Sequence, residues 1–174
     1  MMNETIKTLT TRKSCRSYKN EHITREEIDL IISAGLSSPS GMNLQTPRFI
    51  AVQNDEIVEK LSKMNADVAG MPHDPFYGAK DVIIVLAKKE CTYIYDGSLA
   101  MGNLMNAAWS MGVDSRWIHR AKEMFESSEG KALLKKWGIT EDVEGIGICI
   151  LGHALEEKDK TQIVGGRVYY ADEV

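Results

Sequence analysis

The chain has 174 residues, 43% of them hydrophobic, and a formal charge of −4. This size and composition predict one globular domain, residues 1–174, with a buried core. The acidic balance argues against general binding to nucleic acid or to anionic membranes, because such proteins collect phosphates with a net basic field. No apolar run approaches the roughly 20 residues that cross a bilayer, and the first residues lack a signal peptide's apolar segment, so we expect a cytoplasmic protein.

A basic cluster stands near the amino terminus. Arg12, Lys13 and Arg16 fall within five residues, with Ser14 and Cys15 between them. Such clusters are often merely solvated. Guanidinium groups, however, bind phosphate through paired hydrogen bonds, and a serine hydroxyl can complete an anion site. From these residues alone, a solvated patch and an anion site both stay open.

A capped helix, a loop and a strand are predicted next. Thr24 and Glu27 form a capping box, isoleucines and a leucine follow at helical spacing, and the run "SSPSG" ends the helix. This places Ser37–Leu44 in a loop before the extended segment "RFIAV". A second helix is predicted over Asn54–Met64. The region Met64–Lys80 then carries two prolines and two glycines and is the least regular part of the chain.

The second half of the chain alternates strands with helices. The segment Asp81–Ala87 is short, β-branched and apolar throughout, which predicts a central strand. Asp96–Met111 is apolar almost all round and predicts a long helix buried on several sides. A more polar helical region, Lys122–Trp137, leads to the strand "GIGICILG". Val168–Tyr170 favours a last strand that joins a sheet edge in its own subunit or in a partner.

Several common sites are excluded by their motifs. The glycines of "GIGICILG" lack the Lys-Ser/Thr ending of a Walker loop and do not open a helix, so we expect them to admit a helix or ligand close to the sheet. The four histidines lie more than 30 residues apart, which gives no metal-ligand spacing. Cys149 is expected to be a buried structural thiol, and Cys15 to be a bystander without a histidine base nearby.

Together these segments resemble the FMN-dependent nitroreductase family. The similarity runs from "RKSCRSY" through the capped helix and "PSGMNLQTPRF" to "DGSLAMGNLMNAAWSMGVDSRWI" and "GIGICILGHA", and so covers nearly the whole chain. It implies an α+β fold with a small, mostly antiparallel central sheet flanked by helices. It also implies a homodimer with FMN at the subunit interface, the long apolar helix at the dimer core, and a C-terminal strand that can be exchanged between subunits.

The resemblance assigns the basic cluster to the cofactor. Arg12, Lys13 and Ser14 correspond to residues that hold the FMN phosphate and ribityl chain. Arg16 corresponds to the cation near N1 and the C2 carbonyl of the flavin ring, where reduced flavin carries negative charge. A fixed cation there stabilises the reduced form.

Three further groups of cofactor residues are implied. The loop that reaches the flavin from the other subunit corresponds to Pro39, Ser40, Gly41, Asn43 and Gln45. The turn whose backbone N–H faces flavin N5 corresponds to Trp117, Ile118 and His119. We favour a backbone contact there over a proton-donating role for the His119 side chain. Gly152 ends the family's strand, and Lys160 and Arg167 correspond to late cations on the phosphate.

The function implied is an NAD(P)H-dependent FMN oxidoreductase. NADH or NADPH would deliver hydride to flavin N5 and leave, and a small acceptor such as a nitroaromatic or a quinone would then be reduced in a ping-pong mechanism. The alternatives on the same scaffold are reductive dehalogenation, flavin cleavage, or a non-enzymatic FMN carrier or sensor. Two departures stand out: the short Met64–Lys80 region, and Arg120 at a position where many relatives have a small residue.

Overall fold

The computed structural model describes residues 2–156 and 162–171. The helices are Glu4–Thr11 (α1), Arg25–Leu36 (α2), Asp55–Ala69 (α3), Tyr93–Ser110 (α4), Ala121–Glu126 (α5) and Ser128–Lys136 (α6). The strands are Pro47–Val52 (β1), Asp81–Lys88 (β2), Asp114–Ile118 (β3) and Val143–Gly152 (β4), and a 3₁₀ turn covers Gly41–Asn43. None of the described helices is long and apolar enough to cross a membrane.

The four strands form one antiparallel sheet in the order β1-β2-β4-β3. Strands β2 and β4 are central, which explains why seven consecutive residues of β2 are buried. One face of the sheet packs against α3 and α5, and the other against α2 and α4. The predicted α+β architecture, an antiparallel sheet flanked by helices, is confirmed.

Helix α2 begins as its sequence predicts. The Thr24 hydroxyl accepts a hydrogen bond from the Glu27 backbone N–H at 3.2 Å, and the Glu27 carboxylate accepts one from the Thr24 N–H at 2.7 Å. The hydrogen bonds that the Glu27 carboxylate accepts from the Thr24 backbone N–H and, at 2.8 Å, from the Thr24 hydroxyl lower the pKa of Glu27. The cap is therefore present above the ordinary pKa of a glutamate and is lost as acid protonates Glu27 below it. Ile28 and Ile31 are fully buried on the sheet-facing side.

Some elements differ from the prediction. Helix α3 continues past Met64 to Ala69. The apolar pattern does not reveal this last part, because the buried position after Met64 is occupied by the polar Asn65. The predicted helical region Lys122–Trp137 is divided at Ser127 into α5 and α6. Neither α1 nor β3 was predicted. Helix α1 is only eight residues long and has two large apolar residues, Ile6 and Leu9, which are too few to establish a helical period. Strand β3 is only five residues long, with charged and polar members.

The carboxy-terminal strand does not form within the single chain. Residues 162–171 contain no strand, and Tyr169 is 89% exposed. Residues that favour strands stay exposed in this way when no neighbouring strand pairs with them. Pairing of Val168–Tyr170 with an edge of its own subunit is therefore wrong for this structure. Exchange with a partner stays a prediction, and Lys160 lies outside the described residues.

Helix α4 is buried on one side rather than on several. Its buried face is formed by Asp96, Gly97, Ala100, Met101, Leu104 and Ala108. The opposite face is apolar but exposed: Tyr95 is 72% exposed and Leu99 is 50% exposed. The apolar pattern thus exceeds what one four-stranded sheet and α2 can cover.

Candidate active site

The basic cluster lies in a segment that runs alongside edge strand β3. The Cys15 backbone N–H donates to the Ser115 carbonyl of β3 at 3.1 Å, and Ser14 and Ser115 form a parallel bridge. Further along the segment, the Leu155 N–H donates to the Ser17 carbonyl at 2.9 Å. The cluster is therefore fixed to edge strand β3 and to the residues that follow β4.

Arg12 carries a buried guanidinium nitrogen that lacks a partner. Among the residues that the structure describes, its NH1 atom has no hydrogen-bond acceptor. Burial raises the pKa of the Cys149 thiol to about 12, and the positive charge of Arg12 partly offsets this rise. A buried donor without an acceptor costs about 1–3 kcal/mol, and more when it is charged. Phosphate oxygens would supply that acceptor, so Arg12 fits the FMN phosphate.

Lys13 lies against the carboxy-terminal end of α4. Its ammonium group is 5.8 Å from the centre of the Trp109 ring, and the Trp109 indole N–H donates to the Thr11 hydroxyl at 2.9 Å. Ser14 and Arg16 expose their side chains to solvent. The four predicted phosphate and ring residues are thus neighbours in space as well as in sequence.

Trp117 adds an aromatic surface to this region. It pairs with Cys149 of β4, and its indole packs so closely on Gly147 that a Cβ there would lie 2.3 Å from Trp117 Nε1. The rings of Trp117 and His119 are 5.6 Å apart. A wide aromatic surface of this kind can cover one face of a flat cofactor ring.

The predicted turn begins later than expected. Trp117 and Ile118 belong to β3, whose pairing with β4 continues to Ile118, so the turn consists of His119 and Arg120. Asn65 of α3 fixes this turn by donating from its side-chain amide to the His119 carbonyl at 2.7 Å. Arg120 has a left-handed backbone with φ 78°.

Gly152 is the last residue of β4, so it ends a strand as predicted. It pairs with Asp114 of β3, and a Cβ at Gly152 would lie 3.0 Å from the ring of Tyr18. The Tyr18 hydroxyl is buried, and burial raises its pKa. Gly152, Tyr18 and β3 are therefore tightly packed against one another next to the basic cluster.

The predicted loop residues lie at the other end of α4. Asp96, in the first turn of that helix, accepts from the Gly41 N–H at 3.0 Å and from the Thr46 hydroxyl at 2.8 Å. The Ser40 hydroxyl accepts from the Gln45 N–H at 2.9 Å. Three non-glycine residues of the loop have left-handed backbones: Met42, Asn43 and Gln45. Each such residue costs of the order of 1 kcal/mol and persists only where the surroundings fix it, as Asp96 does here. Pro39 stays exposed at the start of the loop.

One chain therefore carries two separate half-sites. We name Arg12–Arg16 with Trp117–Arg120 the basic half-site, and Pro39–Gln45 the loop half-site. Asp96 lies at the end of α4 beside the loop half-site, and Trp109 at the end beside the basic half-site. These two residues are thirteen positions apart, which corresponds to about 20 Å along the helix axis. Arg167 is in neither half-site: it lies in the exposed tail, where its Nε donates to the Val164 carbonyl at 2.9 Å.

Three supporting residues were missed from the sequence. Asp96 could have been recognised, because it is a single carboxylate in the first turn of an apolar helix. A carboxylate that is buried there needs hydrogen-bond donors from a neighbouring segment. Asn65 could not have been recognised, because its partner is a distant backbone carbonyl. Arg116 stacks its guanidinium 5.1 Å from the centre of the Tyr77 ring, which ties the irregular region to β3.

Comparison with known proteins identifies relatives along nearly the whole chain. The model of the Nitroreductase family matches residues 9–70. An Archaeoglobus fulgidus protein named "Putative NADH dehydrogenase/NAD(P)H nitroreductase" is 30% identical over 167 residues, which are 91% of this chain and 90% of that protein. The "FMN reductase [NAD(P)H]" of Bacillus subtilis is 44% identical over 63 residues, which cover 36% of this chain and 25% of the relative.

Solved structures share the fold. A nitroreductase with bound FMN from Bacteroides fragilis has a TM-score of 0.89 and 25% identity, covering 98% of this chain and 100% of its own. A nitroreductase with bound FMN from Desulfitobacterium hafniense has a TM-score of 0.88 and 28% identity, covering 99% and 100%. The similarity therefore includes both the basic half-site and the loop half-site.

Proposed function

Because the chain belongs to the nitroreductase family, we propose that it is an FMN-dependent oxidoreductase that takes electrons from NADH or NADPH and reduces a small acceptor, such as a nitroaromatic or a quinone. The observation that carries this proposal is the buried NH1 of Arg12, which has no hydrogen-bond acceptor among the described residues. Two similar structures that contain FMN support the choice of cofactor.

The residues of this chain would bind and orient, while the cofactor supplies the redox chemistry. Bound FMN accepts two electrons from a nicotinamide and gives them to the acceptor. Arg12, Lys13 and Ser14 hold the phosphate with two cations and a hydroxyl. Arg16 stabilises negative charge on the ring edge, and Trp117 excludes water from one ring face.

We also propose a homodimer in which each cofactor lies between the basic half-site of one chain and the loop half-site of its partner. A pair related by a two-fold axis, with the α4 helices side by side and antiparallel, would bring together half-sites that lie about 20 Å apart in one chain. The exposed apolar residues of α4 and α1 lie where such a pair would bury them: Ile6, Leu9, Ile94, Tyr95 and Leu99.

The sheet has one edge available for an exchanged strand. At the β3 edge, Ser14 already bridges to Ser115, whereas β1 at the opposite edge pairs only with β2 among the described strands. We therefore propose that Val168–Tyr170 pairs with β1 of the partner. Hydrogen bonds at a free edge stabilise such an added strand, and Val and Tyr favour the extended conformation.

Substitution Leu99→Arg tests the dimer. A charge at the centre of the proposed interface would have to be buried without a partner, so we expect monomers and loss of FMN together. Sedimentation velocity and the FMN content of the same preparation measure both effects. The control is Val68→Arg on α3, an exposed apolar residue outside the proposed interface. A Leu99→Arg protein that stays dimeric would contradict the proposed interface.

Substitution Arg16→Ala tests the charge on the ring edge. Loss of a fixed cation near reduced flavin should lower the reduction potential by several tens of millivolts, since an interaction of about 1–2 kcal/mol is removed from the reduced form. A redox titration of the bound flavin against a reference dye gives the potential. Substitution Arg16→Lys should restore part of it, whereas an equal potential in all three proteins would place Arg16 away from the ring.

The visible spectrum tests the function itself. The purified protein, or the protein reconstituted with FMN, should be yellow and should bleach anaerobically on addition of NADH or NADPH. Colour should return with a nitroaromatic or a quinone. A protein that takes up no FMN would refute the proposal, and one that binds FMN but is not reduced by either nicotinamide would be a flavin carrier or sensor instead.

A further inference from the structure

Arg120 has an unfavourable backbone conformation for its residue type. It is the second residue after β3 and has φ 78° and ψ 8°, in the left-handed region that glycine adopts freely. For an arginine this geometry is strained, because the Cβ atom lies too close to the backbone. Such strain persists where the surroundings enforce it, and a glycine would remove it. The side chain of Arg120 must therefore offer something that a glycine cannot.

The backbone on both sides of Arg120 is fixed. Before it, the His119 carbonyl accepts from Asn65 at 2.7 Å. After Arg120, Ala121 is fully buried. The backbone of Ala121 packs tightly on Gly145 of β4, because a Cβ atom on Gly145 would lie 2.3 Å from the Ala121 carbonyl. The guanidinium therefore starts from a rigid point, and only the side chain itself can move.

The head group of Arg120 is available for a ligand. Its side chain is 51% exposed, and its ion pair is with Glu123 at 3.3 Å, which is itself 46% exposed. Exposed pairs of this kind contribute little free energy and exchange readily. In contrast, Lys13 lies over Trp109 and Arg116 over Tyr77.

The surroundings favour an anion. Arg120 is next to His119, whose ring contacts Trp117, and β3 connects this turn to the basic cluster through the Ser14–Ser115 bridge. The basic cluster therefore lies beside the first residues of β3 and Arg120 just beyond its last residue, so that cationic side chains flank this strand at both ends. The phosphate of FMN would bind near Arg12. Arg120 would then be available to bind another anionic group.

We propose that Arg120 is a specificity-determining residue that binds an anionic group, a carboxylate or a phosphate, on the molecule that reacts beside the flavin. The inference rests on the proposed function. A guanidinium binds either group through two parallel hydrogen bonds, which orients the molecule as well as attracting it. The anion is supplied by a carboxylated acceptor or by the 2′-phosphate of NADPH.

Paired substrates separate these two sources. Substitution Arg120→Gly should lower the ratio of kcat/KM for 4-nitrobenzoate over 4-nitrobenzamide about tenfold if the acceptor supplies the anion. It should lower the ratio for NADPH over NADH by a similar factor if the nucleotide does. Arg120→Lys should keep an intermediate ratio, because a lysine retains the charge without the paired hydrogen bonds. Arg25→Ala, which removes an exposed arginine paired with Asp29, is the matched control and should change neither ratio.

Equilibrium measurements give a second readout that does not depend on turnover. The dissociation constants of benzoate and 2′-AMP for the oxidised holoprotein follow from changes in flavin absorbance, with benzamide and adenosine as the neutral controls. Arg120→Gly should weaken one of the two anions about tenfold and should raise the Tm, because glycine relieves the left-handed strain. If both anions bind the Arg120→Gly and original proteins equally, and both ratios of kcat/KM are unchanged, the inference is wrong. A protein that takes up no FMN would instead refute the proposed function.

Discussion

Substitution Arg12→Ala is expected to raise the dissociation constant for FMN about a hundredfold. The buried NH1 of Arg12 has no acceptor among the described residues, so a phosphate oxygen would remove an existing penalty as well as add a charged hydrogen bond. A hydrogen bond to a charged group contributes about 1.5–3 kcal/mol, and about 2.7 kcal/mol corresponds to a hundredfold. Quenching of FMN fluorescence during titration with the apoprotein measures the constant.

The same substitution should separate binding from folding. Because NH1 has no partner to lose within residues 2–156 and 162–171, the Tm of the apoprotein should not fall. The increase in Tm that FMN produces in the original protein should shrink. Arg25→Ala serves again as the control for removal of one positive charge. An Arg12→Ala protein that binds FMN as tightly as the original would show that Arg12 does not hold the phosphate.

Substitution Gly145→Ala is expected to destabilise the fold by about 3 kcal/mol. The added Cβ would lie 2.3 Å from the backbone C and O of Ala121 and 2.6 Å from the Lys122 nitrogen. Backbone atoms cannot rotate away, so α5 would have to separate from β4. For a chain of this length the loss corresponds to a Tm lower by about 10 °C. Thermal and urea denaturation followed by circular dichroism measure it.

Gly165→Ala is the matched control for this prediction. It makes the same chemical change in the described part of the tail, where a Cβ would meet no atom within 4 Å. Its Tm should stay close to that of the original protein. Equal stability of the Gly145→Ala and Gly165→Ala proteins would mean that α5 does not pack on β4 as described.

The elements with a strong local signal could be predicted from the sequence. Helix α2 has a capping box and an apolar stripe, and β2 is an unbroken apolar run. Gly145 of β4 admits α5 close to the sheet, as expected, whereas Gly147 admits the side chain of Trp117 from the neighbouring strand. Helix α1 and strand β3 could not be predicted, because one has too few apolar residues to establish a helical period and the other depends on β4 for its pairing. The extent of the domain, residues 1–174, stays a prediction.

The site was only partly accessible to sequence reasoning. Arg12, Lys13 and Ser14 are contiguous, so their proximity needed no tertiary information. The link from Asn65 to the His119 turn and the link from Asp96 to the loop join residues that are 54 and 55 positions apart, and only the folded chain reveals them. The contacts of these residues with FMN stay predictions.

Because α4 holds the two half-sites of one chain far apart, binding of the cofactor should depend on the concentration of the protein. If the half-sites at its two ends come from different chains, each FMN is bound by a pair and not by a single molecule. Linkage then requires FMN to tighten the association of the subunits by the same factor by which association tightens FMN. Dilution would release flavin and partner together, so a cell that makes more of this protein would also have it bind its flavin more tightly.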